Sequence, residues 1–170
     1  MKIKVSALRS IIREAIEKSR IVKERPWAVE YTFSLSKGKA EDSEGLGPDG
    51  FAIIMSGESG KTMRAVVDTY WNPQAGDQSG NSIKIEIDGQ ETESSYIPVR
   101  FDTGKKQKLI ISNSPVADLI VISHCADTNS VPVVAIAVSN PFGVNEDVQF
   151  SVKNLGNGTA VVDLTRHSSL

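Results

Sequence analysis

The 170-residue chain carries 19 Lys and Arg against 21 Asp and Glu, a formal net charge of −2, with 39% hydrophobic and 24% charged residues. The single Cys125 excludes an intramolecular disulfide framework and any multi-Cys zinc site, and no apolar run approaches the roughly 20 residues that span a bilayer. At this length one β domain buries about 70% of the surface of its unfolded chain and folds without a staple.

Charge divides the chain. Residues 1–25 hold eight Lys or Arg and three Glu, a net charge of +5, and the remaining 145 residues hold 11 basic and 18 acidic side chains, a net charge of −7. The start Met1-Lys2-Ile3-Lys4 is basic, but Arg9 and Arg13 interrupt the apolar stretch that a signal peptide needs, so a soluble protein made in the cytoplasm is expected. Val5, Leu8, Ile11, Ile12, Ala15 and Ile16 recur at steps of three and four, which gathers them on one face of a helix. Ser6 is the N-cap and Pro26 the stop. Arg9, Arg13, Lys18 and Arg20 take the opposite face. The prediction is an amphipathic helical arm over 1–25 and a β domain over 26–170.

From Trp27 the period becomes two. In Ala28–Leu35 the residues Val29, Tyr31, Phe33 and Leu35 face one way and Glu30, Thr32 and Ser34 the other, as in a strand covered on one side. Further strands are expected at Phe51–Met55, Met63–Tyr70, Ile83–Asp88, Tyr96–Phe101, Lys108–Ile111, Leu119–Ser123, Val131–Val138, Val148–Lys153 and Ala160–Leu164. Asp88-Gly89, Asn140-Pro141 and Asn157-Gly158 supply turns. Short strands with no helical pattern between them predict a mainly β fold, an antiparallel β-sandwich or jelly roll of immunoglobulin-like architecture. Ser36–Gly50 and Asn72–Ser82 are polar connections of a length associated with contacts.

The chemical motifs are weaker than they look. Gly57-Glu58-Ser59-Gly60-Lys61-Thr62 resembles a phosphate loop, but Met55 stands where the leading Gly belongs, and Met63–Tyr70 reads as a strand instead of the required helix. A hairpin turn explains the same residues. His124-Cys125 suggests a base and a thiol nucleophile, yet neighbours on a strand point to opposite faces, so the pair reads as a buried free Cys and a loop His. His167 lies close to the C-terminus, and two His in the whole chain supply no zinc site. Asp42, Glu44 and Asp49, and again Asp77, Gln78 and Asn81, offer oxygen ligands without EF-hand spacing and read as solvated loop residues. No spacing among the 21 acids selects a glycosidase pair. Neither a cofactor nor a metal is expected, nor an enzyme.

The basic arm lacks the interleaved aromatics of a single-strand binder, and Glu14 and Glu17 count against an anionic membrane. No specific nucleic acid and no membrane is expected as partner. Docking on protein is the preferred reading, through Leu8, Arg9, Ile11, Ile12, Arg13, Ile16 and Arg20. Tyr70-Trp71 at a strand end fits a subunit contact or an aromatic plug equally well.

The run Val5-Ser6-Ala7-Leu8-Arg9-Ser10-Ile11-Ile12-Arg13-Glu14-Ala15-Ile16 resembles the opening segment of many proteins of large tailed bacteriophages, virion components among them. Asn140–Ala160 resembles the strand-turn-strand of immunoglobulin-like modules. These resemblances imply a non-enzymatic virion structural protein. The reading they favour is a capsid decoration or cement protein, homo-oligomeric, located on the virion, with the arm gripping the major capsid or another virion protein. A head-to-tail connector or tail protein, and a carbohydrate-binding or hydrolytic β-sandwich domain, are the alternatives.

Overall fold

A computed structural model describes residues 27–35, 50–69, 81–96, 100, 101, 103–114, 117–129, 131–143, 146–155 and 160–165, with the backbone alone for 94–96 and 160–165. The ten strands are β1 (Ala28–Leu35), β2 (Phe51–Gly57), β3 (Thr62–Asp68), β4 (Ser82–Ile87), β5 (Gln90–Tyr96), β6 (Gln107–Ser114), β7 (Leu119–Cys125), β8 (Val134–Ser139), β9 (Val148–Asn154) and β10 (Ala160–Thr165). They form two five-stranded sheets. Sheet A has the order β10-β1-β6-β7-β8 and sheet B the order β5-β4-β3-β2-β9, with every neighbouring pair antiparallel. The fold is thus a mainly β sandwich.

Alternation builds the interior. Val29, Tyr31, Phe33 and Leu35 of β1 point inward with Leu109 and Ile111 of β6 and Ile120 and Ile122 of β7, and meet Phe51, Ile53 and Met55 of β2 and Ile83 and Ile85 of β4. Phe33 crosses the gap to Phe51 edge-on, with centroids 5.0 Å apart. Each such side chain, fully buried, contributes about 1.5–3 kcal/mol. The chain enters this sandwich through Trp27, whose N–H donates to Asn113 Oδ1 at 2.5 Å while Asn113 N–H donates back to the Trp27 carbonyl at 3.1 Å. The Trp27 ring packs edge-on against Phe150 at 5.3 Å.

Turn chemistry closes the hairpins. Asp88 (φ 50°) and Gly89 (φ 83°) make the two-residue turn between β4 and β5, whose twist matches that of the strands it joins. The Gly57–Thr62 segment is the β2–β3 hairpin, with Gly57 N–H donating to the Lys61 carbonyl at 3.0 Å and Gly60 at φ +84°. A phosphate loop is therefore absent there: β3 follows in place of a helix.

Two expectations need correction. The fifth strand is Gln90–Tyr96, not Tyr96–Phe101. Gln90-Glu91-Thr92-Glu93 has no apolar alternation, and what makes it a strand is the tight Asp88-Gly89 turn and backbone pairing to β4 across a bulge at Ile85/Glu86. The strand-turn-strand read from Asn140–Ala160 has both its strands but not as an immunoglobulin-type hairpin, because β9 pairs with β2 in sheet B and β10 with β1 in sheet A. The edge of each sheet is completed by its own strand, so the two never form a hairpin. The arm 1–25, with Leu8, Arg9, Ile11, Ile12, Arg13, Ile16 and Arg20, lies outside the described residues.

Candidate functional site

Register brings the ends of several connections to one end of sheet B. Phe51 stands opposite Val67 and Asn154, and Asp68 opposite Ser82, which in turn faces Tyr96. The connections 36–49 and 70–80 therefore join the sheet at this end. The opposite end carries the short turns at 57–62 and 88–89.

On the outer surface of sheet B near the first of these ends, the alternation rule is broken. Phe51, Ile53, Val67, Ile83 and Ile85 point into the core, so Ala52, Val66, Asp68, Ser82 and Lys84 take the outward positions. Yet Ala52 is 0%, Val66 6% and Ser82 1% exposed. The Lys84 ammonium meets the Asp68 carboxylate at 2.8 Å with side-chain exposures of only 19% and 13%. Ser82 Oγ is buried beside its cross-strand neighbour Asp68 and has no hydrogen-bond partner. Carboxylate, ammonium and hydroxyl groups on adjacent strands can accept from and donate to the vicinal hydroxyls of a polyol, which are donors and acceptors at once.

The short-turn end has its own polar cluster. Glu146 accepts from the backbone N–H groups of Ser59 and of Gly143, the latter at 2.6 Å, and these bonds hold its carboxyl below the usual carboxylate range. Asp88 receives the Lys61 ammonium at 2.8 Å and the Thr62 N–H at 3.0 Å, and Lys61 first, then that backbone bond, lowers its carboxyl. The same pairing raises Lys61. These carboxylates are engaged in tying turn 57–62 to loop 140–147 and to turn 88–89. They fix the frame.

His124 and Cys125 do not make a catalytic pair. His124 is a strand residue of β7, buried in the core, and not the loop residue expected from sequence. Its Nε2 meets Gln107 Oε1 at 2.8 Å, its ring packs edge-on against Phe101 at 5.0 Å, and burial lowers its pKa to about 4. Cys125 stands opposite Lys108 on the other side of the sheet, and burial pushes its thiol up. A neutral imidazole and a protonated thiol facing apart cannot exchange a proton.

Among the described residues no group of three or more His, Cys, Asp or Glu could hold a metal ion. Asp42, Glu44, Asp49, Asp77, Gln78, Tyr70 and Trp71 lie outside the described residues, and Asn81 Oδ1 accepts from Phe101 N–H at 3.3 Å. Asp68, Ser82 and Lys84 were not singled out by sequence. Their only signal was the pair of small or apolar residues, Ala52 and Val66, at outward positions of β2 and β3.

No protein-family model and no curated protein matches the sequence. The fold is similar to a solved structure, the lectin UEA-II complexed with galactose, with a TM-score of 0.61 and 14% identity over 82% of this chain and 70% of that one. This likeness overturns the phage reading, both the resemblance to virion structural proteins and the capsid-decoration function drawn from it. The run Val5–Ile16 is a pattern that any basic amphipathic helix approaches, whereas the lectin likeness takes in most of the sandwich.

Proposed function

We propose that this protein is a lectin-like carbohydrate-binding β-sandwich domain without catalytic activity, and that it takes the sugar at the Asp68, Ser82 and Lys84 cluster of sheet B. The fold likeness to a lectin solved with galactose carries the reading. The polar cluster supports it: the Asp68 carboxylate can accept from sugar hydroxyls, and the Lys84 ammonium and the Ser82 hydroxyl can donate to sugar oxygens. His124, buried in the core, and Cys125, on the opposite face of the sheet, supply no base and nucleophile pair to such a site.

Screening the full chain against immobilised glycans, followed by calorimetric titration with galactose and with the best glycan, tests this reading. Saturable binding that Asp68→Ala abolishes and Ser82→Ala weakens is the expected result. Absence of any retained glycan, or binding indifferent to both substitutions, contradicts it.

A further inference from the structure

The outer face of sheet A is chemically unlike that of sheet B. Sheet B presents ion pairs outward, Arg64–Glu86 at 2.5 Å and Lys84–Asp68 at 2.8 Å. On sheet A the inward residues of β6, β7 and β8 are Leu109, Ile111, Ile120, Ile122, Ile136 and Val138. The outward positions between them, from 110 to 114 in β6 and throughout β7 and β8 up to Ser123 and Ser139, carry only Ile, Leu, Val, Ala and Ser. A solvated antiparallel face is ordinarily polar; here, among the described residues of β6, β7 and β8, the one outward charge is Lys108 at the end of β6, paired with Glu30 of β1 at 3.5 Å. Ala135 and Ala137 are exposed and Val121 is half-buried, so the surface is available among the described residues.

We propose that this neutral face is the docking surface for residues 5–16 of the same chain, folded as an amphipathic helix. The chain itself points there. Ala28, the first residue of β1, lies on that face in one row with Ser112, Val121 and Ala137. Trp27 is anchored beside it through Asn113. The ten residues 17–26 span at most about 33 Å when extended, so the tether reaches every point of the patch.

Size and chemistry agree. A twelve-residue helix is about 18 Å long and about 10 Å wide, and the neutral stretches 110–114, 119–123 and 135–139 of the three strands offer roughly 17 Å by 14 Å. Leu8, Ile11, Ile12 and Ile16 form a stripe that needs an apolar, uncharged surface, and small outward side chains let a helix approach a sheet closely. Arg9 flanks this stripe and Arg13 lies beyond its edge, so both side chains reach water. A segment this short is marginal as an isolated helix, so its order depends on the surface it covers. The proposal is independent of the sugar-binding reading.

Trypsin cleavage after Arg9 and Arg13 tests it, with the full chain compared with a synthetic peptide of residues 1–26. The expected result is slower cleavage in the full chain, unchanged on dilution, and restored by about tenfold or more in Ala137→Asp, an exposed substitution that leaves the cooperative unfolding transition in place. Ile12→Asp, placed on the segment itself, has the same effect should Ala137→Asp disturb the sheet. Cleavage as fast as in the peptide overturns the proposal, as does protection untouched by both variants. Protection that disappears on dilution also overturns it, because the segment then sits on a second copy.

Discussion

His124 Nε2 meets Gln107 Oε1 at 2.8 Å inside the sandwich, and the rest of the Gln107 amide fixes which atom holds the proton. Gln107 Nε2 donates to the carbonyls of Arg100, at 3.2 Å, and Phe101, at 2.9 Å, so Oε1 faces the imidazole as an acceptor. His124 therefore carries its proton on Nε2, and its buried Nδ1 has no partner. Protonation of Nδ1 places a charge among Phe33, Phe101 and the core with nothing to receive it.

The consequence is acid sensitivity. Burial lowers His124 from 6.5 to about 4, so below pH 6.5 the unfolded chain binds a proton that the folded chain refuses. Stability falls as pH drops from about 6.5 to about 4, by about 3 kcal/mol in total. Glu146 and Asp88, held below their usual range, lose their contribution only as pH falls through their lowered values, at and below the acid end of this window. Urea unfolding at steps between pH 7 and 4 is expected to show this slope in the wild type and a much flatter one in His124→Phe. Equal slopes contradict the assignment.

Two glycines of similar φ are expected to respond differently to Ala. Gly50, at φ +85°, lies against the Val67 carbonyl, and an added Cβ meets that backbone oxygen directly. Gly60, at φ +84°, has open space around it. Gly60→Ala is expected to cost about 1–2 kcal/mol, the ordinary penalty of a left-handed residue, and Gly50→Ala more than about 3 kcal/mol because β2 and β3 must separate. Denaturant midpoints of the two variants decide this.

Glu146 ties loop 140–147 to the β2–β3 turn through Ser59 and Gly143. In Glu146→Ala the amides of Ser59 and Gly143 are expected to exchange with solvent about an order of magnitude faster, with little change across the core strands. Amide exchange by NMR checks this, and unchanged rates at both positions contradict the clamp.

At the candidate site, stability and binding separate. Ser82 Oγ makes no hydrogen bond, so Ser82→Ala is expected to leave stability unchanged within about 0.5 kcal/mol, or to raise it. Asp68→Ala removes the carboxylate that pairs with the largely buried Lys84 ammonium and is expected to cost about 1–2 kcal/mol. A large loss in Ser82→Ala in thermal or denaturant unfolding contradicts the unpartnered hydroxyl.

Much of the sandwich was legible in the sequence because one buried face writes period two into each strand. Val29, Tyr31, Phe33 and Leu35 alternate with polar residues, and the Asp88-Gly89 turn is visible as a pair of residues. β5 was missed because Gln90–Ser95 is an edge segment with no apolar face, and backbone pairing leaves no mark on side-chain pattern. The candidate site was not legible at all: Asp68, Ser82 and Lys84 lie on two strands 14 or more positions apart, and only the β3–β4 register brings them together. Local pattern at the arm, read without the sandwich, pointed to a phage protein, which the lectin likeness of the fold corrects.

The central claim is that a carbohydrate binds on the outer face of sheet B at Asp68, Ser82 and Lys84. Hydrogen exchange of the full chain with and without a saturating glycan tests it most directly. The account predicts added protection concentrated in 64–69 and 82–86, lost in Asp68→Ala. Protection confined to 57–62 and 140–147, or no protection by any glycan, contradicts it.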